Sequence, residues 1–182
     1  MTSPEAASAA VEAVTGTIVF TDIVGFTAFT EEAGDEQALA VLAAQEAAVR
    51  SLLPDGARIV KELGDGLMLW FTEAAEAIST SVLLQTHLDE VEVGDGFPLW
   101  VRVGVHTGTQ TRRRDDLVGH DVNVAARIVD LAGPREVLVS EATRHVAESS
   151  LEGIGFVEMG PVFVKGLSDP VWIHRAEPGA GG

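Results

Sequence analysis

The chain has no cysteine among its 182 residues. That excludes disulfides, zinc–thiolate sites and cysteine nucleophiles, and leaves oxygen and nitrogen donors for any metal. Magnesium or manganese is the natural candidate under that restriction. Nor is there an apolar run near the roughly 20 residues needed to cross a bilayer, and the opening "MTSPEAASAAVEA" lacks the basic and apolar parts of a secretory signal. A soluble, cytoplasmic protein is the expectation. Cations are scarce: 12 Lys and Arg stand against 28 Asp and Glu, a formal net charge of −16. This balance works against nonspecific binding to nucleic acid or to an anionic membrane, both of which need a basic surface. A polyphosphate would need local help, from metal ions and from a few cations such as Lys61, the run Arg112 to Arg114, Arg127 and Lys165.

What is present is enough apolar sequence, 46% of residues, for one substantial core. Residues 1–15 are small and polar and 177–182 are Gly-rich, so both ends are expected to be disordered around a single domain at 16–176. Thr17 to Phe20 reads as a buried strand. "DEQALAVLAAQEAAVRSLL" has helical spacing, with Asp35 as a plausible N-cap. "ARIVKELGDGLMLWF" reads as two strands joined at "LGDG", a β-hairpin signal. A second long helix follows Thr72, expected as its cap, and "LWVRVGVHTG" is a β-branched strand suited to a central position. "VGHDVNVAARIVDLAG" is helical up to Gly133 and Pro134, with Asn123 and Arg127 one turn apart on one face. A strand, a short helix from Ser140 and two more strands complete an α+β sheet, with its helices expected on one side.

Two carboxylates, Asp22 and Asp65, stand at the ends of strand-like runs. In one sheet they could lie close together, and adjacent carboxylates repel unless a cation joins them. A pair of hard divalent ions would account for both. Taken singly, each has a more ordinary role: Asp22 as a helix N-cap and Asp65 as the residue of an Asp-Gly turn.

Together, "FTDIVGFT", "VKELGDGLML" and "DLVGHDVNVAARI" resemble, in order, three signature segments of the class III nucleotidyl cyclases, and the resemblance runs from about Gly16 to Arg175. It implies a ferredoxin-like βαββαβ core with additional C-terminal strands and helix, and a homodimer whose two active sites are shared between protomers. It also implies two Mg²⁺ or Mn²⁺ ions per site, with Asp22 and Asp65 as metal-binding aspartates and the backbone carbonyl of Ile23 as a further ligand. Lys61 and Asp116 match the positions that read the base. Adenine offers an acceptor at N1 and a donor at N6, whereas guanine offers the reverse pair. A donating lysine and an accepting aspartate therefore fit ATP. Asn123 matches the residue that orients the ribose, Arg127 the transition-state arginine, and Lys165 the lysine that meets the terminal phosphates. One of Arg112 to Arg114 is either a further phosphate contact or part of a solvated hairpin.

His106, near a strand end, reads as a hydrogen-bonded structural residue and His120 as an exposed helix start. Trp70, Trp100 and Trp172 read as core or dimer contacts. The activity implied is conversion of ATP to 3′,5′-cyclic AMP and pyrophosphate. The competing reading is a noncatalytic nucleotide-binding or dimerisation module of the same fold. A diguanylate cyclase is disfavoured because no "GGDEF"-type segment occurs.

Overall fold

The first strand, β1 (Glu12–Ile23), is apolar on both faces, and this organises the whole molecule. Ile18 and Phe20 point to one side of the sheet, Val19 and Ile23 to the other, and all four are buried. A strand of that kind needs a cover on each face. The computed structural model describes residues 12–91, 93, 96–164 and 168–179. After β1 come α1 (Phe26–Ala33), α2 (Asp35–Leu52), β2 (Arg58–Leu63), β3 (Gly66–Phe71), α3 (Ala74–Leu88), β4 (Val101–Arg113), β5 (Asp116–Val118), α4 (His120–Leu131), β6 (Val137–Ser140), α5 (Glu141–Ala147), β7 (Ile154–Val162) and β8 (Val171–Pro178).

The strands form one sheet in the order β2-β3-β1-β4-β6-β8-β7, with β5 pairing β4. Its β2-β3-β1-β4 part is antiparallel throughout and is connected as βαββαβ, the ferredoxin-like core. β6 joins β4 in parallel, and the antiparallel β8 and β7 extend the sheet beyond it. On one face, α2, α3 and α5 contribute Val41, Val49, Ile78, Leu84 and Ala147 to a core with Val19, Val103 and Val105. On the other face, α4 covers Ile18, Phe20 and Met68 with Val122, Ala125 and Val129. Burying each such large side chain stabilises the fold by roughly 1.5–3 kcal/mol. The expectation that all helices lie on one side is therefore corrected: α4 closes the second apolar face that β1 presents. Gly104 permits its approach, since a Cβ there would stand 2.3 Å from the backbone nitrogen of Val129.

The ordered chain also extends further at both ends than composition suggests. Glu12 to Thr15 lie in β1, paired with Arg112 to Thr109 of β4, and Glu177 and Pro178 lie in β8, paired with Gly155 and Ile154. Strand pairing satisfies backbone groups whatever the side chains are, so a polar segment beside a long strand is ordered by its partner. Two caps shift as well. Gly34 caps α2, with Asp35 and Glu36 in the first turn, and Glu73 rather than Thr72 precedes α3.

Candidate active site

At the end of β1, Val24 N–H donates to the Trp100 carbonyl (2.8 Å), and Gly25, at φ 77°, turns the chain into α1. Only glycine takes that left-handed conformation without strain. Phe29 N–H returns to the Gly25 carbonyl at 3.1 Å, which leaves the first N–H groups of α1 without helical partners. Residues Ile23 to Ala28 line a cleft of about 570 Å³ together with Asp22, Asp65 and Arg102. A helix N-terminus beside carboxylates favours a metal-bound anion.

Asp65 reaches this cleft from the β2–β3 turn, where Gly64 has φ 66°. Burial, then the negative charge of Asp22 and a hydrogen bond with it, raise the Asp65 carboxyl above its ordinary value, against a backbone hydrogen bond and the charge of Arg102. Asp22 in turn accepts from Arg102 Nε at 2.7 Å, and Arg102 Nη1 donates to the Asp130 carbonyl at 3.3 Å. Arg102 is the residue that sequence reasoning missed. Its signal was visible as the one charge in the apolar strand run "LWVRVGV", and it faces Asp22 because the two are register partners across β1 and β4.

The donor set suits a hard divalent cation. Asp22, Asp65 and a neighbouring backbone carbonyl are oxygen ligands, with the charge of Asp22 helping to raise the Asp65 carboxyl, and they leave coordination positions for water or phosphate. Among the described residues, no cluster of three or more His, Asp or Glu forms a self-sufficient metal cage.

The proximity of Asp65 to Asp22 has a consequence in metal-free protein. A carboxyl whose folded pKa is raised binds its proton more tightly in the folded state, so it subtracts stability at neutral pH and the loss is relieved as pH falls through the folded pKa. In EDTA at pH 7 to 8, Asp65→Asn is expected to raise Tm by on the order of 1–3 °C, with the difference vanishing near pH 4. An unchanged or lower Tm at neutral pH contradicts the mutual repulsion.

Other expected site residues lie elsewhere on the α4 side of the sheet. Lys61 of β2 is register partner to Met68, which sits in the core beneath α4. β5 folds back over the same core through Leu117 and brings Asp116 to Lys61, with Nζ 2.8 and 2.9 Å from the two carboxylate oxygens. Burial acts to raise the Asp116 carboxyl, but the hydrogen bonds from Lys61 and Leu117 N–H and the charges of Lys61 and Arg113 hold it below the usual range. Asn123 and Arg127 project from the exposed side of α4, where among the described residues Arg127 Nη1 pairs with Asp130 at 3.5 Å. None of these four residues lines the Asp22–Asp65 cleft.

Lys165 lies outside the described residues. Arg112 pairs with Glu12 at 3.3 Å, and Arg114 (φ 59°) turns the β4–β5 hairpin. Trp70 packs against the core and donates Nε1–H to Gln110, whereas Trp100 and Trp172 are exposed.

Residues 8–175 match the family model described as the Adenylate and Guanylate cyclase catalytic domain. The chain belongs to that family. Among relatives of this cyclase domain, the pH-sensitive adenylate cyclase MT1302 of Mycobacterium tuberculosis is 32% identical over 90% of the chain and 41% of its own length. An uncharacterized M. tuberculosis protein, Rv2212, is also 32% identical, over 87% of the chain and 40% of its own length. The chain thus spans about two fifths of the length of these two curated relatives. Among solved structures, the adenylyl cyclase CyaB from P. aeruginosa superposes with a TM-score of 0.80 at 25% identity, covering 94% of this chain and 97% of that one. The guanylyl cyclase Cya2 shares the fold, with a TM-score of 0.80 at 23% identity over 93% of this chain and 95% of its own. No helix among the described residues is long and apolar enough to cross a membrane.

Proposed function

We propose that this cyclase domain converts ATP to 3′,5′-cyclic AMP and pyrophosphate, at two sites shared across a homodimer. The observation that carries the choice of base is the Lys61–Asp116 pair. Their contact of 2.8 Å sets a donor and an acceptor side by side, the complement of adenine N1 and N6, whereas guanine would meet donor with donor and acceptor with acceptor. The names of MT1302 and CyaB point the same way.

In the reaction, the ribose 3′-oxygen forms a bond to the α-phosphorus in line with the bond that breaks to pyrophosphate, and the hydroxyl proton passes to a substrate phosphate oxygen or to water. Two Mg²⁺ or Mn²⁺ ions held by Asp22, Asp65 and the Ile23 carbonyl would supply Lewis acidity at the 3′-hydroxyl and the departing pyrophosphate. Asn123 orients the ribose. Arg127 is free on α4 to meet charge developing at the α-phosphate. Arg102 and the open N-terminus of α1 hold the remaining phosphates, with Lys165 as a further cation for them. That Lys61, Asp116, Asn123 and Arg127 do not line the Asp22–Asp65 cleft favours assembly between protomers, one supplying the metal-binding acids and the other these four residues.

The test is cyclic nucleotide formation from ATP and GTP with Mg²⁺ or Mn²⁺ across a protein-concentration series. Metal-dependent cyclic AMP whose specific activity rises with concentration supports the proposal. No product from a folded dimer would leave a noncatalytic nucleotide-binding module. For the base, Lys61→Glu with Asp116→Gly is expected to lower kcat/KM for ATP by roughly 10²-fold or more and to raise relative use of GTP. Unchanged ATP kinetics would remove both residues from base reading.

A further inference from the structure

His106 of β4 is buried, 9% exposed, and both ring nitrogens are engaged. Nδ1 lies 2.8 Å from Ser140 Oγ and Nε2 lies 3.3 Å from Asp121 Oδ1. Ser140 Oγ is 2.8 Å from Thr143 Oγ1, which accepts from Thr107 N–H at 2.7 Å. Asp121 Oδ2 accepts from Thr109 N–H at 2.6 Å. These bonds tie the first turn of α4 to β4, to the end of β6 and to α5.

We propose that the chain Thr143–Ser140–His106–Asp121 is a positioning device that sets the placement of α4, and through it the reach of Asn123 and Arg127 to nucleotide. This inference rests on the roles proposed above for those two residues. The apolar residues of α4 fix its depth on the sheet, but apolar contact is non-directional and leaves sliding and rotation weakly defined. Asp121 supplies the missing constraint. It lies directly over Gly108, where a Cβ would come within 2.1 Å of its carboxylate. Asn123 follows two residues later and Arg127 one turn after that.

The hydrogen bonds run consistently in one direction. Asp121 can only accept, so Nε2 carries the ring proton and Nδ1 must accept from the Ser140 hydroxyl. Ser140 Oγ then receives the Thr143 hydroxyl, whose own oxygen takes Thr107 N–H. A proton on Nδ1 would reverse the Ser140 hydroxyl and strand the Thr143 hydroxyl hydrogen in a buried site. The device therefore works with a neutral ring. Burial lowers the proton affinity of His106, outweighing the hydrogen bond and charge of Asp121, with His120 adding repulsion. Asp169 shares with His106, His120 and Asp121 the recess of about 460 Å³ beside the ring. The groups contributed by β6 and α5, Ser140 and Thr143, are uncharged.

The experiment compares wild type, His106→Ala and His106→Gln, which offers one donor and one acceptor that do not titrate. kcat and KM are measured from pH 5.5 to 8.5, alongside thermal melting and ¹⁵N NMR of the ring. Expected are a loss of kcat of roughly ten- to a hundredfold in His106→Ala, with KM within about twofold, and substantial recovery in His106→Gln. The glutamine variant is also expected to keep a larger fraction of its neutral-pH rate at acid pH, and the wild-type ring to be the neutral Nε2–H form at pH 7. Wild-type kcat and pH profile in His106→Ala, no rescue by glutamine, or an Nδ1–H or charged ring at pH 7 would overturn the proposal. If the alanine variant does not fold, the glutamine pH profile and ring state decide. A wild-type protein without cyclase turnover would instead overturn the function proposed above. Shifts of the Asn123 and Arg127 amide resonances in a folded His106 variant would then still support positioning, and unmoved resonances would refute it.

Discussion

Arg127→Ala is expected to lower kcat roughly 10²–10³-fold while changing KM by no more than a few-fold. The argument starts from where the side chain stands. Arg127 is on the exposed face of α4, 54% exposed, and its ion pair with Asp130 among the described residues is loose, at 3.5 Å. It is not committed to holding the fold, so its removal leaves the helix and core in place. Charge at the α-phosphate grows as the new bond forms, and a cation aimed there contributes more to the transition state than to the bound substrate. Steady-state kinetics with ATP and melting of the variant check this together. A large rise in KM with kcat intact would make Arg127 a ground-state binding residue.

Asp22→Ala is expected to lower metal-dependent turnover roughly 10³-fold or more, because its carboxylate is half of the donor set proposed for the divalent ions. The substitution also leaves Arg102 without its partner, so the variant is examined for folding before its activity is read. Mixing it with Arg127→Ala gives the sharper result. If each site draws Asp22 from one protomer and Arg127 from the other, a mixed dimer rebuilds one intact site, and an equimolar random mixture recovers roughly a quarter of wild-type activity. No recovery, with subunit exchange verified, would place the two residues in a site formed within one chain.

The sequence made the β2–β3 hairpin and the α4 helix legible because each is written in local signals: a Gly-Asp-Gly turn between apolar runs, and apolar spacing closed by Gly133 and Pro134. The side on which α4 packs was not legible from helix patterns. It follows from the parity of Ile18 and Phe20 against Val19 and Ile23 in β1, which demands two covers. The ordering of Glu12 to Thr15 was hidden because it depends on β4, nearly a hundred residues away. In the candidate site, Asp22 and Asp65 stood out as acids at strand ends. Arg102 acquires its meaning only from cross-strand register, and the meeting of Lys61 with Asp116 from the way β5 folds over the sheet. The resemblance to known cyclases named that pair; spacing along the chain could not.

The ion pair between Arg102 and Asp22 has a consequence for how the protein is made. A cluster of acids waiting for metal ordinarily strains the empty fold, and many small metal-binding domains do not fold until their ion arrives. Here Arg102 acts as an internal counter-ion for Asp22, which leaves Asp65 as the one acid whose charge the empty fold carries at a cost. Folding of the chain is therefore expected to proceed without metal, and chelation to silence the proposed activity without unfolding the protein.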